Sequence, residues 1–114
     1  MKDGYIKVAA ATPKIKVADT IYNGTLIMEL MKECTDNGAK VVVFPELCIT
    51  GYTCQDLFWQ DKLIRAAEAE LIRIADYSKT LDGIFFVGLP YEINGMLFNM
   101  AAVISHGNVL GMVP

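Results

Sequence analysis

The chain has 114 residues, of which 54% are hydrophobic, and it carries a formal net charge of −3 at pH 7. This is enough apolar material for one domain with a buried core. The acidic balance and the lack of a basic cluster argue against a nucleic-acid partner. No apolar run approaches the roughly 18 residues that a membrane span requires, so no membrane partner is expected.

The start of the chain and its cysteines indicate the compartment. Lys7 interrupts the only apolar stretch near the N-terminus, so we expect no secretory signal peptide. The three cysteines are odd in number and lack metal-ligand spacing, and the chain has a single histidine. We therefore expect no metal site, reduced thiols and a cytoplasmic location.

The first half of the chain has the pattern strand, helix, strand. Apolar residues predict a strand over residues 5–11, and Asp19 is a suitable N-cap for a helix that ends at Asn37-Gly38 with a left-handed cap. Because Gly24 costs about 1 kcal/mol relative to Ala inside a helix, we expect an irregular first turn. A second strand over residues 40–44 completes a βαβ unit, whose strands are parallel. Helical spacing predicts an apolar helix face of Leu26, Ile27, Leu30, Met31 and Cys34.

The second half predicts one helical region followed by three strands. The region runs from Gln55 to about Thr80, and a third strand covers residues 84–89. Asn94-Gly95 is a strong hairpin signal that joins residues 90–93 to a fourth strand over 96–105. A turn at 106–108 then leads into a fifth strand over 109–113, so the order β-α-β-α-β-β-β predicts an α/β fold. The helix should bury a stripe of Ile64, Ala67, Leu71, Ile74 and Ala75.

The stretch from Val41 to Leu47 is the most informative in the chain. Residues 41–44 are apolar and mostly β-branched, which predicts a buried strand. Pro45 ends that strand because it lacks a ladder donor. Glu46 is thereby delivered to a strand end, where ligands of α/β sheets usually bind. Such a carboxylate is either a functional base or a strand-end group that caps the next turn.

Several motifs carry a family resemblance. Phe44-Pro45-Glu46-Leu47 with Gly51-Tyr52 resembles the nitrilase, or carbon–nitrogen hydrolase, superfamily. The tract Gly-Tyr-Thr-Cys-Gln-Asp-Leu-Phe over residues 51–58 is similar to the glutaminase domain of glutamine-dependent NAD synthetases. Leu89-Pro90, residues 97–103 and residues 107–114 are similar to the same domain. The resemblance covers residues 1–114 but only the N-terminal portion of that domain, so we expect the rest of it and the synthetase domain to be absent from this chain.

The resemblance implies both a fold and a reaction. The family fold is an α-β-β-α sandwich, of which this chain would form a part. The family's site combines a glutamate base, a lysine that stabilises the oxyanion, and a cysteine that attacks the glutamine amide to form a thioester. The ammonia released passes to a C-terminal synthetase domain, which uses ATP and magnesium to convert nicotinic acid adenine dinucleotide to NAD. The resemblance also suggests a homo-oligomer.

Matched position by position, the resemblance implies that Glu46 is the general base. Tyr52 is a candidate for lining the substrate pocket, and the alternative is a packed tyrosine with a satisfied hydroxyl. None of the three cysteines matches the nucleophile. We therefore expect the nucleophilic cysteine and the lysine to lie beyond Pro114, and the fragment alone to be inactive.

The remaining candidates have ordinary structural interpretations. Cys48 and Cys54 are expected to be buried and inert, since no basic residue is adjacent to either. Asp56 is expected to cap the second helix. Residues 57–59, Leu-Phe-Trp, are expected to fill the space beside the Glu46 loop, in a core or at an interface. His106 is expected to be a solvated turn residue.

Two other functions stay open. A stand-alone amidase of the nitrilase superfamily would act on a different amide. Alternatively, the chain is a catalytically inactive fragment that persists by self-association, which the high apolar content and an unpaired last strand favour.

Overall fold

The computed structural model describes residues 3–114; Met1 and Lys2, at the start of the stretch searched for a signal peptide, lie outside the described residues. Two short 3₁₀ turns, Gln55–Trp59 and Ser78–Thr80, lie just before and just after the second of the two described α-helices. The elements follow the predicted β-α-β-α-β-β-β order. They are β1 (Lys7–Ala10), α1 (Thr20–Asp36), β2 (Ala39–Val43), α2 (Asp61–Tyr77), β3 (Ile84–Ile93), β4 (Met96–Ser105) and β5 (Asn108–Val113).

One five-stranded mixed sheet has the order β1-β2-β3-β4-β5. The first three strands are parallel, which confirms the predicted βαβ unit, and β4 and β5 continue the sheet as antiparallel hairpins. Asn94 and Gly95 have φ values of 51° and 79°, and His106 and Gly107 have values of 48° and 86°. Positive φ at both central residues is the signature of the tight turn whose twist matches the flanking strands.

Both helices pack on one face of this sheet. The strands contribute fully buried side chains such as Val42, Phe85 and Val87, and α1 contributes Ile27 and Met31. The predicted stripe of α2 is buried at every position, Ile64, Ala67, Leu71, Ile74 and Ala75. The 3.6-residue period therefore located the inner face of α2 because that face has no polar position except Glu70.

The opposite face of the sheet is also apolar but uncovered within residues 3–114. Val8, Val43 and Val113 on this face are 64%, 46% and 59% exposed. The register places Ala10 beside Val43 and Val43 beside Phe86, so apolar side chains form a continuous row across three strands. In the same part of the chain, neither helix combines the length and apolar character needed to cross a membrane.

The second helical region differs from its prediction. Gln60 is extended, with φ of −91° and ψ of 120°, and it separates the first 3₁₀ turn from α2. Asp56 lies inside that turn and no side chain caps α2, so the predicted Asp56 cap is wrong. Trp59 is 81% exposed rather than in the core, while Phe58 is half-buried. Because Gln60 interrupts the helical region, the period of the buried α2 face does not extend back to Trp59.

Helix α1 begins as predicted, with the Asp19 carboxylate accepting a hydrogen bond from the Tyr22 amide at 3.1 Å. Gly38, with φ of 92°, provides the left-handed residue after the helix. The expected irregularity at Gly24 is wrong, because the helix is continuous from Thr20. The predicted apolar face is only partly right: Ile27 and Met31 are buried, whereas Leu26, Leu30 and Cys34 are half-buried.

Gly24 is needed for helix contact rather than for a turn. An added Cβ would overlap the Glu70 side chain of α2, which is 4% exposed. Glu70 is held in place by an ion pair with Arg73, whose guanidinium also donates to the Ile21 carbonyl at 3.0 Å. The two helices therefore meet where a glycine leaves room for a buried carboxylate.

We expect Gly24→Ala to destabilise the protein. Alanine ordinarily stabilises a helix interior by about 1 kcal/mol relative to glycine, but overpacking against Glu70 costs about 1–3 kcal/mol. Urea denaturation should show a net loss in the wild-type background and a gain in a Glu70→Ala background, where the obstruction is gone. A gain in both backgrounds would contradict the close approach.

Candidate active site

The segment after β2 forms a tight loop at the end of the parallel strands. The Phe44 amide donates to the Phe86 carbonyl at 2.9 Å, so pairing with β3 extends one residue beyond β2. Pro45 has no amide to continue the ladder. Leu47 has φ of 52°, and its carbonyl accepts from the amides of Thr50 and Gly51 at 3.2 and 2.7 Å. These contacts reverse the chain immediately after Glu46.

The loop lies directly on β3 at Gly88. A Cβ at this position would overlap the Leu47 amide nitrogen and come within 2.8 Å of the Pro45 carbonyl oxygen. The Gly88 carbonyl accepts from the Ile49 amide at 3.2 Å and from the Cys48 thiol at 3.6 Å. Only glycine allows this backbone approach. The sequence analysis missed the role of Gly88, although an isolated glycine in an apolar strand is a signal for close backbone contact.

A buried asparagine ties the loop to α1. The Asn23 side chain is fully buried, and its Nδ2 donates to the Ile49 carbonyl at 2.9 Å and the Lys16 carbonyl at 2.7 Å. Its Oδ1 accepts from the Lys16 amide at 2.7 Å. The Ala18 amide donates to the Thr50 carbonyl at 2.8 Å. Asn23 was also missed, although a polar residue four positions before Ile27 on a buried helix face could have indicated it.

Glu46 lies in a cleft on the face of the sheet opposite the helices. The cleft has a volume of about 340 Å³ and is lined by residues 43–46, 86–88, 99–101 and 113–114. Glu46 itself is exposed, and it is the one ionisable side chain among these lining residues. The Asn99 amide nitrogen donates a hydrogen bond to Glu46 Oε1. The carboxylate is therefore held at a strand end against an apolar wall, as the sequence predicts.

The cysteines do not contribute to this cleft. Cys48 is 2% exposed, and burial raises the pKa of its thiol to about 11. Cys54 is buried and donates to the carbonyls of Thr50 and Gly51 at 3.1 and 3.4 Å. Cys34 is half-buried on α1, where burial raises the pKa of its thiol. The prediction that Cys48 and Cys54 are buried is confirmed, and the raised pKa of Cys48 disfavours its thiolate form.

Tyr52 and His106 lie apart from the cleft lining. Tyr52 is 75% exposed in the turn that follows the Glu46 loop, and its ring does not line the cleft. His106 is exposed, as predicted, with Nε2 3.5 Å from Asp82 Oδ1. The Lys40 ammonium is 2.9 Å from Oδ2 of the same carboxylate. Because Asp82 precedes β3 while Glu46 follows the parallel β2, this polar cluster occupies the other end of the sheet.

The structure offers no candidate metal centre between residues 3 and 114, since His, Cys, Asp and Glu side chains form no group of three that could hold an ion. Among the residues that line the cleft, the polar side chains are the Glu46 carboxylate and the Asn99 amide.

The family described as carbon–nitrogen hydrolase matches residues 7–113. The chain belongs to the carbon–nitrogen hydrolase family. It is 36% identical over 111 residues to the glutamine-dependent NAD(+) synthetase of Mycobacterium bovis, a match that covers 97% of the chain and 16% of that protein. The corresponding enzyme of Aquifex aeolicus is 32% identical over 108 residues, covering 94% of the chain and 18% of the enzyme.

Solved structures show the same fold. The crystal structure of a glutamine-dependent NAD(+) synthetase from Cytophaga hutchinsonii superposes with a TM-score of 0.87 at 30% identity, covering 94% of this chain and 18% of that one. An amidase from Nesterenkonia sp. AN1 superposes with a TM-score of 0.79 at 21% identity, covering 98% of this chain and 43% of the amidase. The expected partial nitrilase-like α/β fold is thus confirmed, and the chain spans less than a fifth of the length of these synthetases.

We expect Gly88→Ala to displace the Glu46 loop. Alanine in a strand is ordinarily no worse than glycine, but here its Cβ meets main-chain atoms that have no rotamer to change. The free energy of unfolding should fall by about 1–3 kcal/mol, and hydrogen exchange at the Ile49 amide should accelerate.

Gly111→Ala on β5 is the matched control, because a Cβ there meets nothing within 4 Å and φ is not positive. This variant should stay within about 0.5 kcal/mol of the wild type. If the two substitutions had equal effects, the close contact between Gly88 and the main chain of residues 45–47 would not be what holds the loop in place.

Proposed function

We propose that this chain is the N-terminal part of the glutamine-hydrolysing domain of a glutamine-dependent NAD synthetase. The observation that carries the proposal is the position of Glu46 in a cleft at the end of β2, within a chain that is similar to NAD synthetases over 97% of its length. The Nesterenkonia amidase is only 21% identical to this chain, so its structural similarity supports a common fold and not a common substrate. The synthetase assignment is therefore preferred to a stand-alone amidase.

Glu46 would act as the general base. A carboxylate at this position can take the proton of a thiol as the sulfur attacks the glutamine carboxamide carbon. The amide nitrogen leaves as ammonia after protonation, and water then releases glutamate from the thioester. Apolar side chains of the cleft flank the base, but Glu46 is exposed here, so residues outside this chain would have to exclude water from it. Tyr52 stays a proposed substrate contact only through a pocket that residues outside this chain would extend to it, because its exposed ring does not line the cleft of residues 3–114.

The thiol and the oxyanion-stabilising lysine would come from residues outside this chain. Cys48 is unsuitable because its thiol is buried with its pKa raised to about 11, and the buried Cys54 thiol donates hydrogen bonds to the main-chain carbonyls of Thr50 and Gly51. A base without a nucleophile has no acyl-enzyme route. The 114-residue chain alone is therefore proposed to be inactive.

The ammonia would pass to a synthetase domain for amidation of nicotinic acid adenine dinucleotide to NAD. ATP and magnesium would bind in that synthetase domain, as the resemblance to glutamine-dependent NAD synthetases implies. A cytoplasmic location is proposed, because three cysteines without metal-ligand spacing suit a compartment that keeps thiols reduced.

In the full-length protein, Glu46→Gln should lower glutamine-dependent NAD synthesis by about 100- to 10,000-fold, the usual contribution of a general base. Ammonia-dependent synthesis should persist, because that reaction bypasses the amide-hydrolysing site. Both rates are measured by NAD formation with either nitrogen donor.

Glu92→Gln is the control, since Glu92 is an exposed carboxylate on β3 that lines a different cavity, with Asp61 and Arg65. It should leave both rates unchanged. If Glu46→Gln lost both activities equally while remaining folded, the role of Glu46 as a base for glutamine hydrolysis would be refuted.

A second proposal concerns the chain on its own. The apolar face that bears Val8 and Val43 is uncovered, and β1 and β5 are edge strands. Exposed apolar surface and free strand edges favour association between copies. The isolated 114-residue chain is thus proposed to form homo-oligomers through this face of the sheet.

Sedimentation of the isolated chain at micromolar concentration should show oligomers, and Val8→Lys should shift them toward monomer. Ile21→Lys is the matched control, because Ile21 is similarly exposed, 67% against 64% for Val8, but lies on α1. A monomeric wild-type chain, or an equal response to both substitutions, would rule out association through the sheet face.

A further inference from the structure

The geometry points to Asn99 as the positioning residue for the Glu46 carboxylate in glutamine hydrolysis, an inference that rests on the function proposed above. The Asn99 amide donates to Glu46 Oε1 and joins residues 53 positions apart in the chain. Among the hydrogen bonds of residues 3–114, this is the contact that reaches the Glu46 side chain. Neither the family motif around Glu46 nor the cleft's apolar lining provides a second one.

Glu46 needs such a partner because only its main chain is otherwise fixed. The loop is held through Gly88 and Asn23, which contact main-chain atoms of residues 45–49. The Glu46 side chain is exposed and has three rotatable bonds beyond the main chain. A base must lie within hydrogen-bond reach of the proton that it removes. The Asn99 contact selects one orientation of the carboxylate from those that the torsions permit.

Asn99 is well placed to do this because it is on a rigid element. The β3–β4 hairpin pairs continuously from Phe85 opposite Ile104 to Ile93 opposite Met96, and Asn99 faces Pro90. Gly88, which contacts the main chain of the loop, pairs with Ala101 in the same hairpin. Ala101 is two residues after Asn99 on β4. One hairpin therefore fixes both the main chain of the loop and the end of its carboxylate. Sites built on strands hold their geometry better than sites built on loops alone.

The chemistry of an amide suits this task. The amide nitrogen is a neutral donor, so it orients a carboxylate without a full opposing charge. A lysine or arginine at position 99 would favour the charged form of the carboxylate more strongly and make it a weaker base. Because the contact involves Oε1, Oε2 accepts no hydrogen bond from residues 3–114 and stays available to take a proton. Asn99 also lines a smaller adjoining cavity of about 240 Å³ with Leu47 and Phe58.

The test uses the full-length protein with Asn99→Leu and Asn99→Asp, which keep the approximate volume of the side chain but remove the amide donor. Glutamine hydrolysis by Asn99→Leu should show a kcat lower by about 10- to 100-fold, the scale expected for misplacing a catalytic group by about 1 Å. Its KM for glutamine and its ammonia-dependent synthesis should be little changed. Asn108→Leu is the control, since the Asn108 amide only contacts the His106 carbonyl at 3.4 Å.

Asn99→Asp adds a readout that a purely structural role would not change. It places a second carboxylate against Glu46, and two like charges in contact disfavour joint ionisation. Its glutamine hydrolysis should therefore fall off at a higher pH on the acid side than that of the wild type, while Asn108→Leu keeps the wild-type profile. Melting temperatures and ammonia-dependent synthesis identify any variant that is merely unfolded.

The outcomes separate this inference from the proposed function. An unchanged kcat in Asn99→Leu, or parallel losses of kcat, ammonia-dependent synthesis and melting temperature in both variants with no shift of the pH profile, would overturn the positioning role. If Glu46→Gln suppresses glutamine hydrolysis while Asn99→Leu does not, only the role of Asn99 fails. If Glu46→Gln has no effect, the proposed function itself fails.

Discussion

The contact between the Glu46 loop and Gly88 is the constraint on which the site depends. Main-chain atoms of residues 45–47 lie where a side chain at position 88 of β3 would be, and the Gly88 carbonyl accepts a hydrogen bond from the Ile49 amide. This approach sets the height of the loop above the sheet. The direction of Glu46 follows from it, since Leu47 adopts a positive φ and turns the chain back toward α1. A small change in the loop would therefore move the carboxylate relative to the cleft.

The rest of the chain supports that constraint from two sides. On the helix side, the buried Asn23 amide forms hydrogen bonds with Lys16, in the connector after β1, and with the Ile49 carbonyl of the loop. One side chain of α1 therefore links the connector to the site. On the open side, β4 brings Asn99 to the carboxylate. The α1–α2 contact at Gly24 and Glu70 holds the helices together. A polar group buried with its partners in this way specifies one arrangement of the elements.

The two faces of the sheet have different roles. The helix-covered face supplies the core of the described residues, and the uncovered face carries the cleft and an exposed apolar row. An apolar surface of this kind ordinarily meets another protein surface. This division accounts for the high hydrophobic content, because apolar residues occur on both faces of the strands and helices cover only one. Glu46 lines the cleft on this uncovered face and is therefore exposed within the described residues.

Much of the fold and the position of Glu46 at a strand end could be predicted from the sequence because they depend on local chemistry. β-branched runs, the α2 period, the Asp19 cap and the Asn94-Gly95 turn each act within a few residues. Pro45 likewise ended β2 and placed Glu46 by local sterics. The break at Gln60, the exposure of Trp59, and the roles of Gly24, Gly88, Asn23 and Asn99 were decided only by the tertiary structure. The roles of Gly24, Gly88, Asn23 and Asn99 are contacts between segments distant along the chain, and no local preference of a glycine or an asparagine specifies which distant atoms it will meet.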